Sequence, residues 1–282
     1  MPHNNYINTL FFGEEIFSNS CPIKFTCIGG QVYYVKIAQS QTDFDDLIYE
    51  GVAVHLAHLF EIPVPPYAII NILPSSYNLS DINAPMNKSF IQENPIAFGS
   101  LDVKNHDILG PQNDTIYDKR DFNRFLNPLD FLKIGIFDFH LTNTDRSYLN
   151  YNIIFDVNFP KGKRKFLAID HVAIFGGSIL KNKFTPHCSN NLVGNILNCP
   201  FGETIIGYLK QDHGASILTS VIESYFSKVQ NIPDIIKAYF ETIPAEWRYN
   251  EDLPDRIIAY LINDERNVYL QSELRNLLKT SN

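Results

Sequence analysis

The sequence predicts an α+β protein of two lobes, a small strand-rich lobe over residues 1–95 and a mostly helical lobe over 96–282. Three observations carry this reading. Residues 1 to about 38 read as strands, with Gly29-Gly30 as a hairpin turn that tolerates positive φ. After Gly176-Gly177 the apolar spacing becomes helical. Between these regions a helix runs into the polar stretch NTDRSYLN (143–150), and a hairpin follows that ends on Asp170. At 282 residues the chain is long enough for two lobes sharing a cleft.

Composition removes several classes. A hydrophobic content of 45% with 19% charged residues describes an ordinary globular protein. The net charge of −8 disfavours a duplex-binding surface, which needs clustered Lys and Arg. The basic run Lys161 to Lys165 reads as a solvated hairpin tip. Four cysteines without a CxxC pair suit reduced thiols. His187, Cys188, Cys199 and His213 lack zinc spacing and read as structural. No basic n-region opens the chain, and the uncharged stretch Ile62–Ser80 is broken by Pro63, Pro65, Pro66 and Pro74. The expectation is a cytoplasmic protein that neither enters a membrane nor binds nucleic acid directly.

Taken in order, Ile23–Ile28 and Gln31–Ala38 are strands, and Lys36 interrupts the apolar run of the second. It is either an edge lysine facing water or a lysine that holds phosphates. The preceding loop, Phe17 to Pro22, offers the hydroxyls of Ser18 and Ser20, but the chain has no GxxxxGK[ST]. Thr42–Phe60 is a helix opened by a Thr42/Asp45 capping box, with Phe44, Ile48, Val52, Leu56 and Leu59 on one face. Glu50 within it is either a solvated carboxylate or the partner of Lys36. Pro63, Pro65 and Pro66 stop the helix; Tyr67–Leu73 is a strand and Ser75–Lys88 a polar loop. Ser89–Gln92 is read as the last strand of the small lobe. Glu93-Asn94-Pro95 would be its hinge, where backbone commonly meets an adenine edge. Phe98-Gly99-Ser100 would begin the second lobe. There, Asn127 caps a core helix with Pro128 in its first turn. Asn152–Asp156 and Lys165–Ile169 form a hairpin turned by Pro160 to Gly162. Thr204–Val229, Ile232–Ile243 and Pro254–Leu278 are helical, and Trp247 is expected in the core.

The chemistry concentrates in Asp145, Asn150 and Asp170. Phosphoryl transfer needs oxygen ligands for Mg²⁺ and a carboxylate that accepts the nucleophile's proton. The spacing alone is weak, because Asp118/Asn123 and Asp138/Asn143 repeat it. Asn143, Asp145 and Asn150 would also suit Asx turns. Context favours the Asp145 copy, which has a helix before it and a strand after it.

These residues resemble the HipA-like kinase domain. The resemblance rests on NTDRSYLN and AIDHVAIF together with an upstream YYVK strand, the helix YEGVAVHLAHLFEIPVPPYAI and SNSCP near the start. It covers roughly residues 5 to 180 and implies a protein-kinase-like bilobal fold, distantly that of phosphatidylinositol kinases. By this resemblance Asp145 is the catalytic, base-like aspartate, and Asn150 and Asp170 are Mg²⁺ ligands. Lys36 grips the α/β-phosphates of ATP with Glu50 behind it, and Gln92, Glu93 and Asn94 fall where adenine contacts are expected. Arg146 follows the aspartate as in many members, but Ser147 stands where histidine is common. Ser18 and Ser20 are candidates for a phosphate loop or for autophosphorylation control. Full-length toxin kinases of this family carry an extra N-terminal subdomain, and the expectation is that this chain is too short at that end to have it.

The implied activity is transfer of the γ-phosphoryl group to Ser or Thr of a protein substrate; the resemblance leaves open whether a small antitoxin-like chain accompanies it as partner. Two alternatives stand beside it. One is a nucleotide-binding pseudokinase scaffold; the other is a small-molecule or lipid kinase of the same fold.

Overall fold

The computed structural model describes residues 6–16, 18, 21–40, 44–177, 183–185 and 194–280. Ser20, Thr42, His187 and Cys188 lie outside these described residues. Contacts divide the chain into two compact units. The first is Met1–Val54, Pro65–Val103 and Ala238–Leu253; the second is His55–Val64, Lys104–Lys237 and Pro254–Asn282.

The first unit is built on a closed five-stranded barrel. Its strands are β1 (Ile7–Glu15), β2 (Ile23–Cys27), β3 (Val32–Lys36), β4 (Tyr67–Asn71) and β5 (Ile96–Leu101), in the order β1-β2-β3-β5-β4. All neighbours are antiparallel except the parallel pair β1 and β4 that closes the barrel. The period-2 alternation of the strands decides what lies inside. Ile23, Phe25 and Cys27 of β2 and Tyr33 and Val35 of β3 point into the core with Ile70 and Ala97. Lys36 falls on the other face. Helix α1 (Asp45–Phe60) opens on the Phe44 carbonyl, which accepts from the amides of Leu47 and Ile48. It is buried nearly all round: within it Asp46 and His58 alone are exposed.

One stretch differs from the sequence expectation. Residues 89–92 are not a strand. Helix α2 (Pro85–Phe90) starts on Pro85, whose fixed φ suits a first helical turn, and the amides of Glu93 and Asn94 close on the Phe90 carbonyl. Alternation over Ser89–Gln92 was too short to outweigh that start signal. The strand that fills this place is β5, an apolar run after Pro95 that pairs with both β3 and β4. Glu93–Pro95 therefore lies inside the first unit, and after β5 the chain enters the second unit at Lys104.

The second unit pairs a three-stranded antiparallel sheet with helices. The sheet is β6 (His106–Ile108), β7 (Ile153–Asp156) and β8 (Lys165–Ala168), with β7 in the middle. The hairpin of β7 and β8 turns through Pro160–Gly162, as the sequence indicates. After α3 (Lys119–Phe122) comes α4 (Leu129–Leu141), with eleven of its residues buried. Phe125, Phe131, Phe155, Phe166 and Phe201 pack as one aromatic cluster between sheet and helices. Helices α5 (Pro200–His213), α6 (Ala215–Ser227), α7 (Ile232–Thr242), α8 (Leu253–Leu261) and α9 (Asp264–Thr280) complete the described chain. The long helix expected over Thr204–Val229 is broken at Gly214, where φ is +77°. Among the described residues no helix is long and apolar enough to cross a membrane.

Candidate active site

In the second unit the site begins where α4 stops. Thr142 takes a left-handed conformation, φ 52°, and its amide bonds back to the carbonyls of Asp138 and Phe139. The Thr142 hydroxyl pairs with that of Tyr260, and the Arg266 guanidinium donates to Thr142 Oγ1 at 3.2 Å. Asn143 then folds onto Asp138: its amide nitrogen lies 2.9 Å from the Asp138 carbonyl, and its side chain donates to Asp138 Oδ1 at 3.1 Å. Asn143 Oδ1 accepts from the Asp145 amide at 3.2 Å, an Asx turn that sets where Asp145 emerges.

The half-buried Asp145 carboxylate is oriented from the far side of the loop. Its Oδ2 accepts from the Asn150 amide at 3.0 Å and from the Asn152 amide at 2.8 Å. Ser147 and Asn150 bridge through reciprocal backbone bonds, leaving Tyr148 and Leu149 exposed at the tip. With Asn150 Nδ2 donating to Asp145, its Oδ1 is presented away as an acceptor.

Asp170 follows β8 in the same neighbourhood. The Ile169 amide donates to the Asn152 carbonyl at 2.9 Å, extending the hairpin to the strand end. Asp170 itself sits at φ 55°, a conformation that non-glycine residues adopt rarely outside functional or tightly constrained sites. The two segments are laced together: the Thr144 amide reaches the Ala173 carbonyl at 3.2 Å, and the Gly176 amide reaches that of Thr142 at 2.9 Å.

Arg146 is the centre of this lacing. It is fully buried, ion-paired with Asp138 at 3.3 Å. The same guanidinium donates to the Ile169 carbonyl at 2.9 Å and lies 3.3 Å from His171 Nδ1. Burial pushes the Asp138 carboxyl up to about 6, against the opposing pull of Arg146 and then of Asn143.

In the first unit Lys36 and Glu50 form an ion pair, with side chains 15% and 3% exposed. β3 is flanked on both sides by strands, so Lys36 is no edge lysine, and Glu50 is no solvated carboxylate. Gln92 and Glu93 are exposed on the turn before β5. Asn94 is buried and donates to the Ala38 and Ser40 carbonyls at 3.1 and 2.8 Å, stapling the segment after β3 to the turn before β5. Ser18 is exposed, and its carbonyl accepts from Cys21.

Sequence reasoning missed Asp138, Asn152 and His171. A signal for the first was present: an aspartate between Phe137 and Phe139 in the apolar part of α4 needs a buried cation, and Arg146 stands just past that helix. Asn152, two residues beyond Asn150 and facing the same way, was a second such signal.

Two side chains of this site are of the kind that could hold a magnesium ion. The Asn150 amide oxygen and the Asp170 carboxylate are hard oxygen ligands, which Mg²⁺ prefers while keeping several waters and substrate phosphates.

Over nearly its whole length the fold is similar to the crystal structure of a Helicobacter pylori proinflammatory kinase, CtkA. The TM-score is 0.54 at 12% identity, over 98% of this chain and 99% of that one. The fold is thus that of a kinase-like protein. The chain belongs to the HipA-like kinases, whose family model matches residues 19–198. Also similar are a Golgi casein kinase, with TM-score 0.45 and 14% identity over 98% of this chain and 74% of that one, and Shewanella oneidensis MR-1 HipA in a complex with HipB and operator DNA. The latter has a TM-score of 0.37 and 9% identity over 94% of this chain and 62% of that one. No curated protein matches the sequence.

Proposed function

We propose that this HipA-like kinase transfers the γ-phosphoryl group of ATP, with Mg²⁺, to a serine or threonine hydroxyl of a protein. The observation that carries the reading is the Asp145 carboxylate, oriented by Asn150 and Asn152, on a loop that Arg146 fastens beside Asp170. Asp145 would orient the acceptor hydroxyl and take its proton. Asn150 and Asp170 would hold Mg²⁺, which supplies charge neutralisation at the phosphates when bound. Lys36, kept in place by Glu50, would grip the α/β-phosphates. In this reading the first unit serves as the small lobe and the second as the large one.

A protein acceptor is favoured over a small molecule by Tyr148 and Leu149. Both are exposed, at 54% and 69%, on the turn between Asp145 and Asn150. An apolar tip there suits an extended peptide better than a polar metabolite. Cytoplasmic residence and a toxin role with a small antitoxin-like partner extend the same family reading.

The test is incubation of the full chain with γ-labelled ATP, Mg²⁺ and a cell lysate, then mass spectrometry of labelled proteins. Asp145→Asn should abolish labelling while ATP still raises the melting temperature, and Asp170→Asn should lose the Mg²⁺-dependent part of that rise. If ATP stabilises the wild-type chain but no phosphate moves, the chain is a pseudokinase scaffold. Undiminished transfer by Asp145→Asn would remove that residue from the mechanism.

A further inference from the structure

We propose that Tyr239 and Trp247, near the far end of the chain, are positioning residues for the Lys36–Glu50 pair. The proposal rests on the kinase reading and adds to it a part of the chain beyond the matched residues 19–198. The segment Ala238–Leu253 follows most of the second unit in sequence, yet its contacts place it in the first.

Its two anchors meet the two elements that present the pair. The Tyr239 hydroxyl donates to the Ile48 carbonyl of α1 at 3.2 Å. Its ring occupies the space a side chain at Gly51 would need: an added Cβ would overlap the hydroxyl oxygen and Cζ and lie 2.8 Å from Cε2. Glycine inside a helix costs about 1 kcal/mol relative to alanine, so its presence here marks a close approach. Ile48 and Gly51 bracket Glu50, whose carboxylate holds Lys36. Trp247 is 2% exposed, and its Nε1 donates to the Ile96 carbonyl at 2.9 Å, at the start of β5. That strand runs beside β3 with Phe98 opposite Lys36. One segment therefore touches both the helix that carries the glutamate and the strand that flanks the lysine. The ring of Phe240 stands edge-on to that of Tyr249 at 5.0 Å, and Tyr6 donates to Glu246 at 3.2 Å, so the segment has a defined seat. Tyr239 also feels the charge of Glu50: burial first, then Tyr67 and Glu50, push its hydroxyl well above the usual tyrosine range. It therefore stays a neutral donor.

The chain has a single tryptophan, so its fluorescence reports this seat alone. The experiment measures ATP·Mg²⁺ affinity by calorimetry and Trp247 emission for the full chain and for Gly51→Ala, Tyr239→Phe and Glu50→Gln. Gly51→Ala should keep native circular dichroism, shift Trp247 emission to the red and weaken ATP·Mg²⁺ at least tenfold, as Glu50→Gln does. Tyr239→Phe, which loses only the hydrogen bond, should weaken it about threefold and raise KM for ATP more than it lowers kcat. If Gly51→Ala does not fold, Tyr239→Phe decides by the same two readings. ATP·Mg²⁺ affinity unchanged in both variants while Glu50→Gln loses it would overturn the positioning role and leave the kinase reading intact. No ATP·Mg²⁺ binding by the wild-type chain would sink both.

Discussion

Arg146, next to Asp145, donates to the carbonyl of Ile169, next to Asp170, at 2.9 Å. One guanidinium thereby fixes the spacing between the candidate base and the candidate metal ligand. Its other tie, to Asp138 at 3.3 Å, returns the loop to the helix it came from.

Breaking that tie should be expensive. Both side chains are essentially without solvent, and removing one member of a buried pair costs about 3–5 kcal/mol because the other charge is stranded. Arg146→Met should lower unfolding stability by about that much. The double variant Asp138→Leu/Arg146→Met should recover part of it, since neither charge remains buried. Urea denaturation of the wild type and the two variants decides; a loss under about 1 kcal/mol for Arg146→Met, as for an exposed pair, would show that the pair contributes little.

Asn152 offers a cleaner probe of the site. Its amide is one of two donors to Asp145 Oδ2, at 2.8 Å. It sits at φ 46°, which glycine adopts freely. Asn152→Gly therefore deletes the donor without straining the backbone. A hydrogen bond to a charged group is worth about 1.5–3 kcal/mol, so kcat should fall roughly 10- to 100-fold with KM for ATP little changed. Steady-state kinetics checks this, and a loss confined to KM would mean that the bond does not orient the carboxylate.

The parts of this protein legible in its sequence are the local ones. The Asp145–Asn150 loop, the β7–β8 hairpin and its Pro160–Gly162 turn, the Gly29-Gly30 turn and α1 each depend on neighbours within one or two dozen residues. Periodicity and turn chemistry suffice there. What stayed hidden depends on distance or competition. The start signal of Pro85 overrides the short run at 89–92, and the last barrel strand lies one segment later, at Ile96–Leu101. That Ala238–Leu253 joins the first unit follows from contacts across about 190 residues, such as Tyr239 to Ile48. No local pattern announces such a contact. Trp247 was expected in the core, but not which core.

His140 should make the protein acid-sensitive. Its Nε2 lies 3.0 Å from the Leu261 carbonyl, which can only accept, so Nε2 carries the proton and Nδ1, 3.0 Å from the Tyr225 hydroxyl, accepts. Both nitrogens are satisfied in the neutral ring. Burial, then the nearby Arg266, push the imidazole from its ordinary 6.5 down to about 3. Between those values the unfolded chain binds a proton that the folded chain refuses, so stability falls as pH drops from 6.5 toward 3. Asp138 works in the opposite sense: raised from 3.8 to about 6, it holds its extra proton in the folded state, and stability is gained as pH drops through that window. His140→Gln keeps a donor and an acceptor but cannot charge. Its stability should therefore fall less than the wild type's between pH 6.5 and 4, read from urea midpoints at each pH. Parallel pH profiles would contradict the assignment of a neutral buried imidazole.

The last prediction concerns the helix that delivers the catalytic loop. Propensity alone says that Gly135→Ala should stabilise α4 by up to about 1 kcal/mol. Packing says the reverse. An added Cβ would overlap Leu197 Cγ and Cδ2 and lie 2.9 Å from Cδ1, and Leu197 is fully buried. The Gly135 carbonyl also accepts from Asn195 Nδ2 at 2.9 Å, which pins the 195–198 turn against the helix. Overpacking of this kind typically costs about 1–3 kcal/mol, so the steric term wins and Gly135→Ala should destabilise. Leu197→Ala should do so as well, by opening a cavity worth about 2–5 kcal/mol. Combined, the two changes exchange volume across one contact, and the double variant should be more stable than the sum of the single losses predicts. A double-variant cycle in urea measures that coupling; strict additivity would show that Gly135 and Leu197 do not compete for the same space.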